Sequence, residues 1–348
     1  MRRYISFFLI FFLIKTSSQI NKQQVVDDWA LVKSSMLDGS RNLSERSDRF
    51  LIWKLSDHQL CEYPDPIFED RKKCFDIKLE NKSIRTSPKT FYEIDKLTSD
   101  TLTVIDRADG ITSNDKIEKI WFVRISKLQN EYLSTLKNDS IAVASPYFTP
   151  SLKKNIFFEI PEDYMYNSNL TVKGNIIIYP KKQKVDLQYE NTPESKKNVK
   201  GMEFLKSTIE KSYHQWTITA FKNFDQVIIP YSFKHKTEYP QATMKFAFFK
   251  NEHKDSGKIP VTIKDKTLSS ETYNKGINAL NDKKLDKAIE LFNKAFDLDN
   301  TNVDALYNTV SISLDKKDVV TACTALKKLK EFEQTEGTQL FNQVCTKN

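Results

Sequence analysis

Glycine is scarce. The 348 residues include 7 Gly, at positions 39, 110, 174, 201, 257, 276 and 337, and the closest two are 19 apart. That spacing excludes GxGxxG, GxxxxGK[ST] and GxSxG, the glycine-dependent phosphate loops and nucleophile elbows. Gly39 and Gly110 read as turn residues, Gly174 as a strand residue, Gly201 as a helix start, and Gly257 and Gly337 as linker or turn. Histidine is also scarce. His58, His214, His235 and His253 form neither HxxxH nor HxH. No metal or cofactor site is expected from them. Paired carboxylates such as Glu69–Asp70 lie in polar turns and read as solvated. No Ser/His/Asp combination has supporting context, so a non-catalytic protein is expected. Proline numbers 11, without a proline-rich run. The formal net charge is +8, spread along the chain with no recognised nucleic-acid motif, so no nucleic-acid partner is expected.

What is present is apolar mass. Hydrophobic residues make up 39% and aromatics 12%, with 23 Phe and 14 Tyr. Sizeable cores follow, and the length suits two or three domains. The expected class is multidomain α+β. An N-terminal antiparallel β-barrel or sheet spans 19–128, an α+β domain 129–267 and an α-helical repeat 268–348. Residues 1–18 (MRRYISFFLIFFLIKTSS) have the form of a signal peptide: Arg2 and Arg3, a ten-residue apolar core, then small residues. Lys15 ends the run short of the ~20 apolar residues of a spanning helix. Export to the periplasm or beyond is expected, with an uncleaved inner-membrane anchor as the alternative. In that compartment the four cysteines fall into two local pairs, Cys61 with Cys74 and Cys323 with Cys345, and read as structural disulfides.

The strongest pattern is C-terminal. Ala288 and Ala322 are 34 residues apart, as are Phe292 and Leu326, Ala295 and Leu329, and Leu298 and Phe332. Ile277, Leu280, Ile289, Phe292 and Phe296 give an apolar helical face. The period and the small residues resemble the tetratricopeptide repeat family. Gly276, Ala288, Ala295 and Ala322 match its small packing positions, and Phe292 its large one. Asn300 departs from its usual terminal Pro, and Val310 replaces Gly in the second copy. Residues 338–346 would form a closing helix. The resemblance implies peptide or protein binding in a groove, or packing alone.

In the middle, 129–135 reads as helix and 155–161 as a strand. Residues 169–191 read as two strands around a basic turn at Lys181 to Lys184. Residues 201–216 read as an amphipathic helix with Met202, Leu205, Ile209 and Tyr213 on one face, followed by strands at 225–234 and 244–250. This order, with Trp216 after the helix and Pro230 and Phe233 in the last strand, resembles the C-terminal domain of TonB-type energy transducers. The Pro-Ala that usually follows that Trp is missing. The resemblance implies recognition by strand addition at a sheet edge, at 226–233 or 244–250.

The N-terminal part alternates short strands and polar turns at 29–34, 49–56, 74–81, 83–87, 90–108 and 118–126. With Trp29 early and Trp121 and Phe122 late, it resembles lipocalin-like domains of exported bacterial proteins. Such barrels enclose a ligand or are filled by side chains. Trp29, Trp53 and Trp121 are expected in the core.

Three functions follow. The first is a binding or scaffold protein of the bacterial envelope, with other envelope proteins or peptides as partners, a membrane protein among them. The second is a relative of the energy transducers serving outer-membrane transport. The third is small-ligand binding in the N-terminal barrel.

Overall fold

The computed structural model describes residues 22–44, 50–136, 140–156, 169–190, 196–238, 241–249 and 258–346. The expected signal peptide, most of the strand predicted over 155–161, and Gly257 lie outside the described residues.

Short alternating runs build the first region. Its strands are β1 (Asp28–Met36), β2 (Ile52–Leu55), β3 (Gln59–Tyr63), β4 (Lys73–Asp76), β5 (Lys78–Glu80), β6 (Ser83–Arg85), β7 (Thr90–Leu97), β8 (Thr101–Ala108) and β9 (Glu118–Arg124). They form one antiparallel sheet in the order β4-β3-β2-β1-β9-β8-β7-β6-β5. Among the described strands of this sheet, β1 with β9 is the one pairing between strands distant in sequence. The two ends of the row, β4 and β5, are consecutive in the chain and separated by Ile77 alone. The sheet therefore curls into a nearly closed up-and-down barrel. β3 is not among the predicted strands: its one fully buried residue is Leu60.

Apolar side chains line the barrel's interior. Trp29, Trp53, Leu60, Ile84, Leu102 and Phe122 are buried in one cluster. The Trp53 ring lies 4.6 Å from Tyr92 and 4.3 Å from Phe122. At one end, the turn α1 (Lys22–Val25) takes the Trp29 indole hydrogen on the Val25 carbonyl at 2.8 Å. Arg124 lies over the Trp29 ring at 5.0 Å and pairs with Asp27. Trp121 does not join this core. On β9 the inward positions are Ile120 and Phe122, so period two turns Trp121 outward, beneath Lys33 and Lys119.

The helix α2 (Ile125–Thr135) crosses the expected 128/129 boundary and packs on β1 and β9. Then follow β10 (Ile141–Val143), β11 (Ser151–Leu152), β12 (Leu170–Tyr179), β13 (Lys184–Tyr189), α3 (Lys196–Glu210), β14 (Trp216–Thr217), β15 (Gln226–Glu238) and β16 (Gln241–Phe248). Five of these strands form a second sheet, with β15 between β12 on one side and β10 and β16 on the other. The α3 helix buries Met202, Leu205 and Ile209 against β12 and β13. Gly201 lies inside α3 rather than at its start.

The C-terminal region is helical: α4 (Lys266–Asn281), α5 (Leu285–Leu298), α6 (Val303–Asp315), α7 (Val319–Glu331) and α8 (Thr335–Val344). Short turns join them. Lys283 and Lys317, 34 residues apart, both take the left-handed conformation, with φ of 60° and 59°. Each ends its helix with a bond reaching back five residues, Lys284 N–H to the Ala279 carbonyl and Asp318 N–H to the Ser313 carbonyl. Among the described residues no helix is long and apolar enough to cross a membrane.

Candidate functional site

The predicted repeat positions meet inside the helical array. A Cβ at Gly276 would stand 2.7 Å from the Phe292 ring, so only glycine allows that approach of α4 to α5. At the second copy Val310 and Leu326 occupy these positions, and both are buried. A larger residue on one helix thus faces a smaller one on the next. Ala288, Ala295 and Ala322 are all fully buried. Gly337, read as a linker or turn residue, lies instead in α8, where a Cβ would approach Leu329 to 2.5 Å. The disulfide Cys323–Cys345 ties α7 to the end of α8.

Asn300 has a local reason to stand where the repeat pattern has Pro. Its carboxamide accepts from Thr262 N–H at 2.8 Å and donates to the Pro260 carbonyl at 3.1 Å. Its own N–H donates to the Thr262 carbonyl at 3.2 Å. Proline could make none of these bonds. They hold the strand-like lead-in 258–265 along the array, with Ile259 and Val261 packed on its core.

Two barrel loops lie on the array. On the first, Ser40 Oγ accepts from the Thr335 N–H at 2.9 Å. Arg41 N–H donates to the Glu333 carbonyl at 3.0 Å, and the Arg41 carbonyl accepts from Gln334 Nε2 at 3.2 Å. The Arg41 guanidinium donates to the Ile259 carbonyl at 2.7 Å. Leu43 is buried in the helical core. From the second loop, Lys116 pairs with Asp304 at 2.8 Å. Burial alone would lower the Lys116 pKa, but the Asp304 and Asp115 carboxylates outweigh it and raise it. Tyr307, whose hydroxyl accepts from Gly337 N–H, has its pKa pushed up to about 12 by burial, with Glu336, Asp38 and Asp115 adding to the rise. A polar recess beside this contact is lined by Lys266, Ser269, Tyr273, Asp299, Asn302 and Asp304.

A third barrel loop reaches the five-stranded sheet's region. The disulfide Cys61–Cys74 joins residues directly opposite on β3 and β4 and closes the base of this loop. Ile67 and Phe68 at its tip are buried in the core beneath that sheet. Asp70 is exposed, as expected of a turn carboxylate, whereas Glu69 is half-buried at the junction. Glu69 accepts from the hydroxyls of Ser151 and Thr217, and Asp70 accepts from Asn155 N–H at 3.0 Å. Burial works to raise the Glu69 pKa. The two hydroxyls, with Lys54 and Lys72, outweigh it and leave it below the usual value.

Of the two edge candidates, 226–233 is internal, because β15 is paired along both sides. Pro230 sits where β15 passes from β10, whose ladder ends at Ile228, to β16, whose ladder begins at Tyr231. A missing N–H costs least at such a gap. Phe233 is fully buried under Phe246, ring to ring at 4.5 Å. Trp216 is buried in β14, outside the five-stranded sheet, and its indole donates to Ser212 Oγ at 2.9 Å. The other candidate, 244–250, coincides with β16, whose outer side no described strand pairs. Met244, Lys245 and Ala247 are exposed there.

His58 and His214 are exposed, and His235 is buried in β15. Among the described residues no group of three His, Cys, Asp or Glu is placed to hold a metal. No protein-family model, curated protein or solved structure matches the chain.

Proposed function

We propose that this chain is an exported, non-catalytic binding or scaffold protein of the bacterial envelope. Partners dock on its helical array, acting as a tetratricopeptide-type module, and on β16, acting as a strand-addition edge of the TonB C-terminal type. The observation that carries the reading is the outer side of β16, a row of backbone donors and acceptors that no described strand covers. Lys245 on that strand guards against indiscriminate pairing while leaving the backbone available. Two disulfides support an oxidising compartment.

The test is site-specific photo-cross-linking in cells that export the protein, with the probe at Met244 on β16 or at Asn274 on the exposed face of α4. Discrete protein adducts are expected from each. Their absence from both positions would overturn the reading.

One observation favours a second reading, a small ligand in the barrel. Trp53 Nε1 is buried there with no hydrogen-bond partner among the described residues. A ligand with an acceptor would satisfy it. Native mass spectrometry of the exported protein tests this, and a mass equal to the bare chain would reject it.

A further inference from the structure

We propose that the corner formed by Ile259, Glu333, Gln334 and Thr335 is a recognition site for an extended peptide. The peptide it fits carries a hydroxyl residue, then a basic residue, any residue, and leucine. Ser40–Leu43 occupies the site in cis. This rests on the array acting as a docking module, and it names that module's ligand and the device that keeps it closed.

The barrel loop is held as a bound peptide is held. Both backbone groups of Arg41 are taken, by the Glu333 carbonyl and by Gln334 Nε2. Ser40 offers its oxygen to Thr335 N–H, the Arg41 guanidinium reaches the Ile259 carbonyl, and Leu43 enters the helical core. The intervening Asn42 points the other way, donating to Glu118 on β9 at 2.6 Å. Main-chain bonds supply attachment, and alternate side chains supply selection.

The receiving groups are set by the array itself. Glu333 takes a left-handed φ of 55° in the turn that ends α7. Its N–H and that of Gln334 donate to the Lys330 and Leu329 carbonyls, and Gln334 Nε2 also donates to the Phe332 carbonyl at 2.9 Å. Ile259 is fixed through Asn300, which grips Pro260 and Thr262. None of these bonds involves the barrel. The polar groups of the site are therefore held without its occupant, which lowers the ordering cost of any peptide that replaces the loop.

The probe is a fluorescent peptide of sequence DGSRNLS, residues 38–44, titrated by anisotropy into the full mature chain. Wild type holds its own copy in place, so weak binding is expected. In S40A/R41A the cis copy loses two side-chain bonds, and the probe should bind about tenfold tighter. Adding Thr335→Pro should reverse the gain. It removes the N–H that Ser40 uses, at the first position of α8, where proline is tolerated. A probe with Arg and Leu replaced by Asp should not bind any variant. S40A alone, with the same expected direction, decides the matter if the double variant loses its far-ultraviolet helical signal. Equal binding to wild type and to the opened chain, or no binding to an opened chain that keeps its helical signal, would overturn the proposal. Cross-links from Met244 and Asn274 without peptide binding would sink this inference and spare the wider reading. Peptide binding without cross-links would do the reverse.

Discussion

Of the loops through which the barrel meets its neighbours, two bind by opposite means. The loop between β3 and β4 buries two large apolar side chains, Ile67 and Phe68, in the core beneath the five-stranded sheet. Its base is closed by Cys61–Cys74, and Glu69 bonds to two hydroxyls across the junction. The loop after β1 buries one side chain, Leu43, and otherwise spends backbone and polar groups on the array. Apolar burial stabilises a contact in proportion to area, whereas exchanging water for protein hydrogen bonds is worth about 1 kcal/mol each. The first junction is therefore built to stay closed. The second is built so that another chain can offer the same groups.

The sharpest way to break this contrast is Phe68→Ala. Phe68 lies under the Arg71 guanidinium at 4.2 Å and against the Phe248 ring at 5.6 Å. Its truncation should cost about 3–5 kcal/mol, measured by denaturant unfolding of the disulfide-bonded protein. A loss no larger than that of Leu43→Ala measured alongside would remove the distinction between the junctions. Next in size is the double replacement of Cys61 and Cys74 by Ala, expected to cost about 3 kcal/mol for a loop of this length. Hydrogen exchange should then rise at 151–152 and 216–217, which meet this loop, and stay unchanged at 333–335. A rise at 333–335 instead would show that the disulfide serves the wrong junction for this account.

Much of the architecture was legible because period two and period 3.6 survive in the residues. The alternation in TFYEIDKL and TLTVIDRA yields the hairpin of β7 and β8, and the 34-residue spacing yields equivalent turns at Lys283 and Lys317. The same alternation bears on Trp121, since Ile120, Trp121 and Phe122 cannot all face inward from one strand. Glu69 misled because a carboxylate in a turn normally meets water, and partners 82 and 148 residues away leave no local trace. Two adjacent apolar residues inside the polar turn PDPIFED were the available signal. Leu43 in SRNLS offered none, and β15 as a central strand required knowing where β10 lands. Contacts between modules carry no periodicity, and the candidate site is made of such contacts.

Acidification should separate the two junctions by a smaller margin. Glu69 titrates below its usual value in the folded chain, so it contributes stability above the unfolded carboxyl pKa of 4.5 and loses it as pH falls through the folded one. Exchange protection at 151–152 and 216–217 should weaken as pH drops below that point, and in Glu69→Gln the pH dependence should vanish. The Ser40–Thr335 contact pairs a hydroxyl with an amide, so protection at 333–335 should change less over the same range. Parallel loss at both places would mean that the junctions open together.

The smallest expected effect falls on the second junction. Ser40 is buried, and its hydroxyl donates to Asp38 Oδ2 at 2.7 Å while accepting from Thr335 N–H. Ser40→Ala removes both bonds, yet Thr335 begins α8, where an unpaired N–H is easily taken by water. The net cost should be about 1 kcal/mol, well under that of Phe68→Ala. That cost should appear locally, as faster exchange at 333–335, with the barrel signals unchanged. If Ser40→Ala costs as much as Phe68→Ala, the array corner is a fixed part of the core and no peptide in trans can displace the loop. If it costs little and exchange at the corner rises, the polar junction opens first, and the difference between the two loops becomes a difference in which one a partner can replace.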